Sequence, residues 1–163
     1  MRVDIEFVPV QKPDDMSVVL GTSHFIKTVE DIPEAVANAG GGIRFGLAFC
    51  EGSGPRLIRT EGNDEKLVGL ATDCASSVGA GHFFALFIEN GFPVNFLNNL
   101  KAVPEVCTIH CATANPLGVL VARTEMGRGV VGVVDGGSPL GVEGPEDVQE
   151  RRDLLRTIGY KFG

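Results

Sequence analysis

Two short, almost continuous apolar runs, residues 43–50 and 82–88, constrain the fold of this chain more than any other feature. Runs of this length are typical of central β-strands that are covered on both faces. Between them, apolar residues recur at the three- or four-residue spacing of a helix with one buried face: Leu67, Ala71, Cys74 and Val78. The middle of the chain therefore predicts a strand, an amphipathic helix and a second strand that pack together.

The flanking sequence predicts further elements on both sides of this unit. Asn63 is the predicted N-cap of the helix that carries Leu67. We expect further strands at 2–10, 16–20, 106–112, 117–124 and 130–134, and further helices at about 28–39, 93–102 and 145–159. Strands that alternate with helices, followed by two consecutive strands, indicate an α/β (or α+β) fold in which a mixed β-sheet is flanked by helices. Without a linker or an internal repeat, residues 1–163 are predicted to form a single compact domain.

Charge and hydropathy exclude several classes of partner. The formal net charge of −7 is opposite in sign to the basic surface that binds nucleic acid, so we expect no nucleic-acid partner. No apolar run has the length of a membrane span and the first ten residues lack a targeting pattern, which predicts a cytoplasmic protein with no membrane partner. The four cysteines lie in apolar stretches and are expected to be buried, reduced thiols. Cys107 and Cys111 flank His110 but lack a second ligand pair, so we assign no metal ligands.

Residues 127–132 match the Gly-x-Gly-x-x-Gly pattern of dinucleotide-binding loops. That function needs a helix after the last glycine, whereas valines that favour a strand surround it, so the dinucleotide-binding and protein-kinase families are excluded. Two interpretations remain: Arg128 and Gly129 bind a phosphate, or they form an ordinary hairpin turn with an exposed arginine. Glu125 and Asp135 flank this loop, so we expect these carboxylates to share a cleft with Arg128.

The histidines differ in their sequence context. His24 lies just before the helix predicted to begin at residue 28, with Lys27 beside it. A positive helix end and a neighbouring ammonium favour the neutral, nucleophilic form of an imidazole. His82 opens an apolar strand, where a hydrogen-bonded structural role is the alternative to catalysis, and His110 lies inside a strand and is interpreted as structural.

Further candidate ligand-binding residues follow predicted strands directly. Glu51, Ser53 and Gly54 come after the run that ends at residue 50, where a strand-terminal turn is the alternative interpretation. In open α/β sheets, ligands bind at the carboxyl ends of strands. Glu51 is therefore a candidate acceptor for ribose hydroxyls or a base, and Ser53 a candidate phosphate ligand. Asn115 follows another predicted strand in the same way.

Nine sequence blocks occur in an order that resembles the adenosine-specific kinase family of archaea and bacteria, and together they extend over nearly the whole chain. They are SHFIKTVEDI (23–32), FCEGSGP (49–55), GNDE (62–65), GAGH (79–82), VPEVC (103–107), CATANP (111–116), GRG (127–129), VDG (134–136) and IGYK (158–161). The resemblance implies binding of adenosine and AMP, a homotrimer with clefts between subunits, and a histidine that carries a phosphoryl group. ATP or another phosphoryl donor would be the cosubstrate, and Mg²⁺ is a candidate metal.

On this resemblance, we place the phosphoryl group on His24, with His82 as the alternative. Residue chemistry suggests the other roles. The cations Lys27 and Arg128 would balance phosphoryl charge, and Ser53 and Gly54 would donate hydrogen bonds. Glu51 or Asp135 would orient the imidazole or hold Mg²⁺, and Asn115 would bind the adenine edge or the sugar. The alternative functions are a non-catalytic module that binds or senses adenosine nucleotides and, less favoured, a small-molecule hydrolase.

Overall fold

The computed structural model describes residues 2–163, which form eight strands and four helices. Their bounds are β1 (Asp4–Pro9), β2 (Ser17–Ser23), α1 (Thr28–Ala37), β3 (Arg44–Cys50), β4 (Ile58–Gly62), α2 (Glu65–Val78), β5 (Phe83–Glu89), α3 (Pro93–Lys101), β6 (Val106–Thr113), β7 (Leu117–Arg123), β8 (Arg128–Asp135) and α4 (Pro145–Thr157). None of these helices is both long enough and apolar enough to cross a bilayer.

The strands form two sheets. The larger has the order β4-β3-β5-β2-β6, and the smaller has the order β1-β7-β8. In the larger sheet β3 and β5 are buried along almost their whole length because they carry apolar side chains on both faces. On one face they pack with α1 and α3, and on the other with α2 and the smaller sheet. The two apolar runs of the sequence are therefore central strands, as predicted.

The start of α2 differs from the prediction by one residue. Asp64, and not Asn63, is the N-cap: its Oδ1 accepts a hydrogen bond from the Leu67 N–H at 3.0 Å. Asn63 instead connects this turn to the start of β3. Its Oδ1 accepts from the Phe45 N–H at 2.8 Å and its Nδ2 donates to the Ile43 carbonyl at 2.9 Å.

The predicted class, a single α/β or α+β fold, is confirmed. Helices α1, α2 and α3 pack against the sheets, whereas α4 has no buried residue. In one detail the structure differs: each strand pair in residues 2–163 is antiparallel and the strands divide into two sheets, so α+β is the more accurate of the two terms. An edge strand, β4, was also not predicted, because it is short and carries the polar residues Arg59, Thr60 and Glu61.

Candidate functional site

The turn between β2 and α1 carries His24 on the surface of the protein. The imidazole is exposed and lies against the ring of Phe25, with 6.3 Å between ring centroids. The His24 main-chain N–H donates to the Glu105 carbonyl at 3.0 Å, which ties the turn to the start of β6. An exposed imidazole on an anchored turn is accessible to a substrate while its backbone stays fixed.

The ammonium of Lys27, on the same turn, lies between two carboxylates. Its Nζ is 2.7 Å from Asp31 Oδ2 and 3.3 Å from Glu105 Oε1. The hydrogen bonds to Asp31 and to Glu105 raise the pKa of Lys27 above its ordinary value. Like any lysine with such a pKa, it is cationic in the physiological range. Sequence reasoning did not single out Glu105, although it lies within the VPEVC block, because a charged residue before a strand is usually exposed.

His82 adopts a backbone conformation that is uncommon outside glycine, with φ of +65°. Its N–H donates to the Cys50 carbonyl at 2.7 Å, and its carbonyl accepts from the Ser23 N–H at 2.9 Å. The ring stacks on Phe49 with 6.0 Å between centroids. Gly52 lies so close that a Cβ there would be 2.7 Å from His82 Nε2. His82 therefore joins the end of β2, which leads to His24, to the loop after β3.

His110 lies inside β6, the strand in which the sequence places it, and it contacts a side chain of the neighbouring strand β2. Its Nε2 is 2.9 Å from Thr22 Oγ1, and burial lowers the pKa of the imidazole. Because Thr22 and Ser23 are consecutive on β2, their side chains point to opposite faces of the sheet. His110 thus packs on the face opposite to Ser23, in contact with a hydroxyl.

A cleft of about 880 Å³ lies between the loop after β3, the C-terminal end of α2 and the β7–β8 turn. Glu51 lines it, but both carboxylate oxygens are engaged: Oε2 accepts from the Leu57 N–H at 2.8 Å and Oε1 from Arg59 Nε at 2.9 Å. The Leu57 hydrogen bond, and then Arg59, lower the pKa of Glu51. Glu51 is therefore an ionised, fixed acceptor, which suits orientation better than proton abstraction.

The other residues of this loop are exposed and free to approach a ligand. Ser53 and Gly54 form the tip of the loop, where Gly54 has φ of +64°, a conformation that favours glycine. The Arg56 N–H donates to the Ser53 carbonyl at 3.3 Å and closes the turn. Across the cleft, Gly129 pairs with Ala122 in the β7–β8 hairpin.

Arg128 borders the cleft, but its guanidinium caps α2. Its Nε donates to the Val78 carbonyl at 2.8 Å, its second nitrogen donates to the Ser77 carbonyl at 3.2 Å, and it pairs with Glu6. A cation is favourable at the C-terminal end of a helix, where unpaired carbonyls concentrate negative charge. Much of the hydrogen-bonding capacity of Arg128 is thus used within the chain.

The expected cleft shared by Arg128, Glu125 and Asp135 does not form within one chain. Glu125 is exposed in the hairpin turn beside Arg128. Asp135 lies at the other end of β8, seven residues away, which is about 23 Å along an extended strand. There its Oδ1 accepts hydrogen bonds from Thr113 Oγ1 at 2.8 Å and from Asn115 Nδ2 at 3.0 Å. Asp135 is near the loop in sequence, but it is the last residue of β8, so the whole strand separates it from Arg128.

Within residues 2–163, no group of three or more histidine, cysteine or acidic side chains is arranged to hold a metal ion by itself. A divalent ion at this site would thus depend on oxygen ligands from a bound phosphate together with one or two carboxylates, as is usual for Mg²⁺.

The fold and site define a small α+β protein in which two histidines lie at the neighbouring ends of β2 and β5, and Gly81, next to one of them, lines the cleft. A family model described as "Adenosine specific kinase" matches residues 8–161, and the chain belongs to this family. The structure is similar to the crystal structure of the PH1918 protein from Pyrococcus horikoshii OT3, with a TM-score of 0.95 and 43% identity over 99% of this chain and 100% of that one. A search of the curated proteins finds no match.

Proposed function

We propose that the protein binds adenosine and its nucleotides in the cleft and carries a phosphoryl group on His24 during transfer. The observation that carries this proposal is the pairing, on one anchored turn of an adenosine-specific kinase fold, of an exposed imidazole with a lysine kept cationic. His82 is half-buried and stacked on Phe49, so His24 is the more accessible nucleophile of the two.

The proposed reaction has two steps. A nitrogen of His24 attacks the terminal phosphorus of ATP; a P–N bond forms, the bridging P–O bond breaks, and ADP leaves. In the second step a hydroxyl of adenosine attacks the same phosphorus, the P–N bond breaks, and the hydroxyl proton is released to solvent. AMP and the free imidazole result. Each step needs alignment and charge neutralisation more than further covalent chemistry.

The other candidate residues would bind and orient the substrates. Lys27 would contact the phosphoryl oxygens, with donors from Ser53 and Gly54, and Glu51 would accept hydrogen bonds from ribose hydroxyls. Mg²⁺ bound to the phosphates of ATP would neutralise part of their charge. Arg128 and Gly129 would form the far wall of the cleft.

Asn115 and Asp135 lie away from this cleft within one chain, so they would contribute only from a neighbouring subunit. The proposed homotrimer would supply them there. Apolar side chains on the smaller sheet also favour self-association, since Ile5 and Phe7 of β1 are each more than half exposed.

The test is intact-protein mass spectrometry after incubation with ATP and Mg²⁺, with and without adenosine. We expect an acid-labile phosphoryl adduct that disappears when adenosine is added, with AMP as the product. His24→Ala should lose the adduct, whereas His82→Ala and His110→Ala, the matched controls, should retain it. Full labelling of the His24→Ala variant would refute the assignment of His24.

A second function, nucleotide binding without turnover, is favoured by one observation. Asp31 and Glu105 both contact the Lys27 ammonium, so the local charge is already negative before a phosphate arrives. A binding module predicts that adenosine and AMP give heat in titration calorimetry, that ATP leaves no adduct, and that no AMP forms. Product analysis in the same samples separates the two functions.

A further inference from the structure

One buried residue, Glu105, contacts both residues that the proposed function places at the phosphoryl group, His24 through its main chain and Lys27 through its side chain. Its carbonyl accepts from the His24 N–H at 3.0 Å, and its carboxylate Oε1 lies 3.3 Å from Lys27 Nζ. The residue is 4% exposed. A buried carboxylate is costly unless it is paired or hydrogen-bonded.

A side-chain hydrogen bond also joins the two residues that flank the turn carrying His24 and Lys27. Ser23 Oγ and Thr28 Oγ1 are 2.6 Å apart, and this buried hydroxyl pair joins the last residue of β2 to the first residue of α1. Glu105, the residue before β6, contacts the same turn from a different part of the chain. The turn is therefore fixed by its own closure, by Glu105 and, at Ser23, by the His82 carbonyl.

The two carboxylates on Lys27 are not equivalent. Asp31 lies one helical turn from the lysine on α1, an exposed i,i+4 pair of the kind that contributes little. Glu105 is buried and lies on a different segment of the chain from the lysine. No described residue of the chain donates a hydrogen bond to its second oxygen, Oε2, so Lys27 is the one cation that compensates its charge.

We propose that Glu105 is a positioning residue: it fixes the His24 backbone and holds the Lys27 ammonium at a constant place relative to it. This inference rests on the proposed function. A lysine has three N–H donors, and two of them point to carboxylates here. The third remains for a phosphoryl oxygen on His24, and Glu105 determines where that donor lies.

The test compares Glu105→Gln with Asp31→Asn, which removes the other carboxylate from the same lysine. With ATP and Mg²⁺ as the probe, we expect the rate of His24 labelling to fall at least about ten-fold in Glu105→Gln, because misplaced groups slow transfer strongly, and less than about three-fold in Asp31→Asn. Adenosine carries no phosphate, so its dissociation constant should stay within about two-fold of the wild-type value in both variants.

A double-mutant cycle distinguishes positioning from a merely structural role. If Glu105 acts through Lys27, Glu105→Gln should add no further loss to the labelling rate of Lys27→Met. Multiplicative losses would overturn the proposal, and so would labelling of Glu105→Gln at the wild-type rate.

If circular dichroism shows that Glu105→Gln does not fold, Glu105→Asp takes its place. It keeps the charge but is one methylene shorter, and a wild-type rate there would also overturn the proposal. A wild-type protein that takes no label overturns the proposed function as well.

Discussion

At the scale of single residues, burial divides the cysteines into two groups. Burial raises the pKa of Cys50 and of Cys111 to about 11, and that of Cys74 to about 12, so these thiols stay protonated at neutral pH. Cys107 is exposed. Because the thiolate is the reactive form, we expect N-ethylmaleimide at pH 7 to modify Cys107 in the folded protein and all four cysteines after denaturation.

Peptide mapping by mass spectrometry measures this pattern, with Cys107→Ser as the control that should take no label while folded. Modification of Cys74 in the native protein as fast as Cys107 would contradict it.

Only some residues of the candidate site can be predicted from local sequence patterns. His24 and Lys27 were found because they are neighbours in sequence, just before a helix. Glu105 was not, because its burial and its contact with Lys27 depend on how β6 is placed against the turn, which no local pattern encodes. The same holds for Arg59, the partner of Glu51, which lies on the unpredicted β4.

At the scale of secondary structure, the start of α2 is sensitive to acid. The Arg44 hydrogen bond, and then the Leu67 N–H, lower the pKa of Asp64. A carboxylate with a lowered pKa stabilises the fold above its unfolded pKa of about 3.9, and this contribution is lost as pH falls through the folded pKa. We therefore expect Asp64→Asn to lower the urea midpoint at pH 7, with a difference that shrinks steadily below about pH 4.

Gly69→Ala in the same helix is the matched control, because a Cβ at Gly69 meets nothing within 4 Å. It should stabilise the protein by about 0.5–1 kcal/mol both at pH 7 and below about pH 4. Urea unfolding followed by circular dichroism gives both results, and a pH-independent deficit in Asp64→Asn would contradict the acid dependence.

The helices and central strands could be predicted because the periodicity of apolar residues is local. Strand direction could not: pairing is decided by contacts between distant segments, and in this protein each described pair is antiparallel. The rule that ligands gather at the carboxyl ends of parallel strands therefore does not apply here. The cleft forms instead where the loop after β3 meets the end of α2 and the hairpin turn of the smaller sheet.

At the scale of the whole molecule, the outer face of the smaller sheet is the surface on which we expect subunits to associate. Its inner face packs on the core, whereas Ile5, Phe7 and Val131 are 57%, 54% and 60% exposed. Exposed apolar side chains grouped on one sheet are typical of a protein–protein interface. We expect light scattering after size-exclusion chromatography to give three times the mass of the chain, and Val131→Glu to shift the protein towards a smaller species, because a buried unpaired carboxylate opposes association.

Val94→Glu is the matched control, since Val94 is similarly exposed but lies on α3, away from the sheet. It should leave the mass unchanged. If Asn115 and Asp135 serve the cleft of a neighbouring subunit, Val131→Glu should also weaken adenosine binding in proportion to the loss of oligomer, although its own side chain does not line the cleft. A monomeric wild-type protein that binds adenosine would contradict both expectations and would place the whole binding site within one chain.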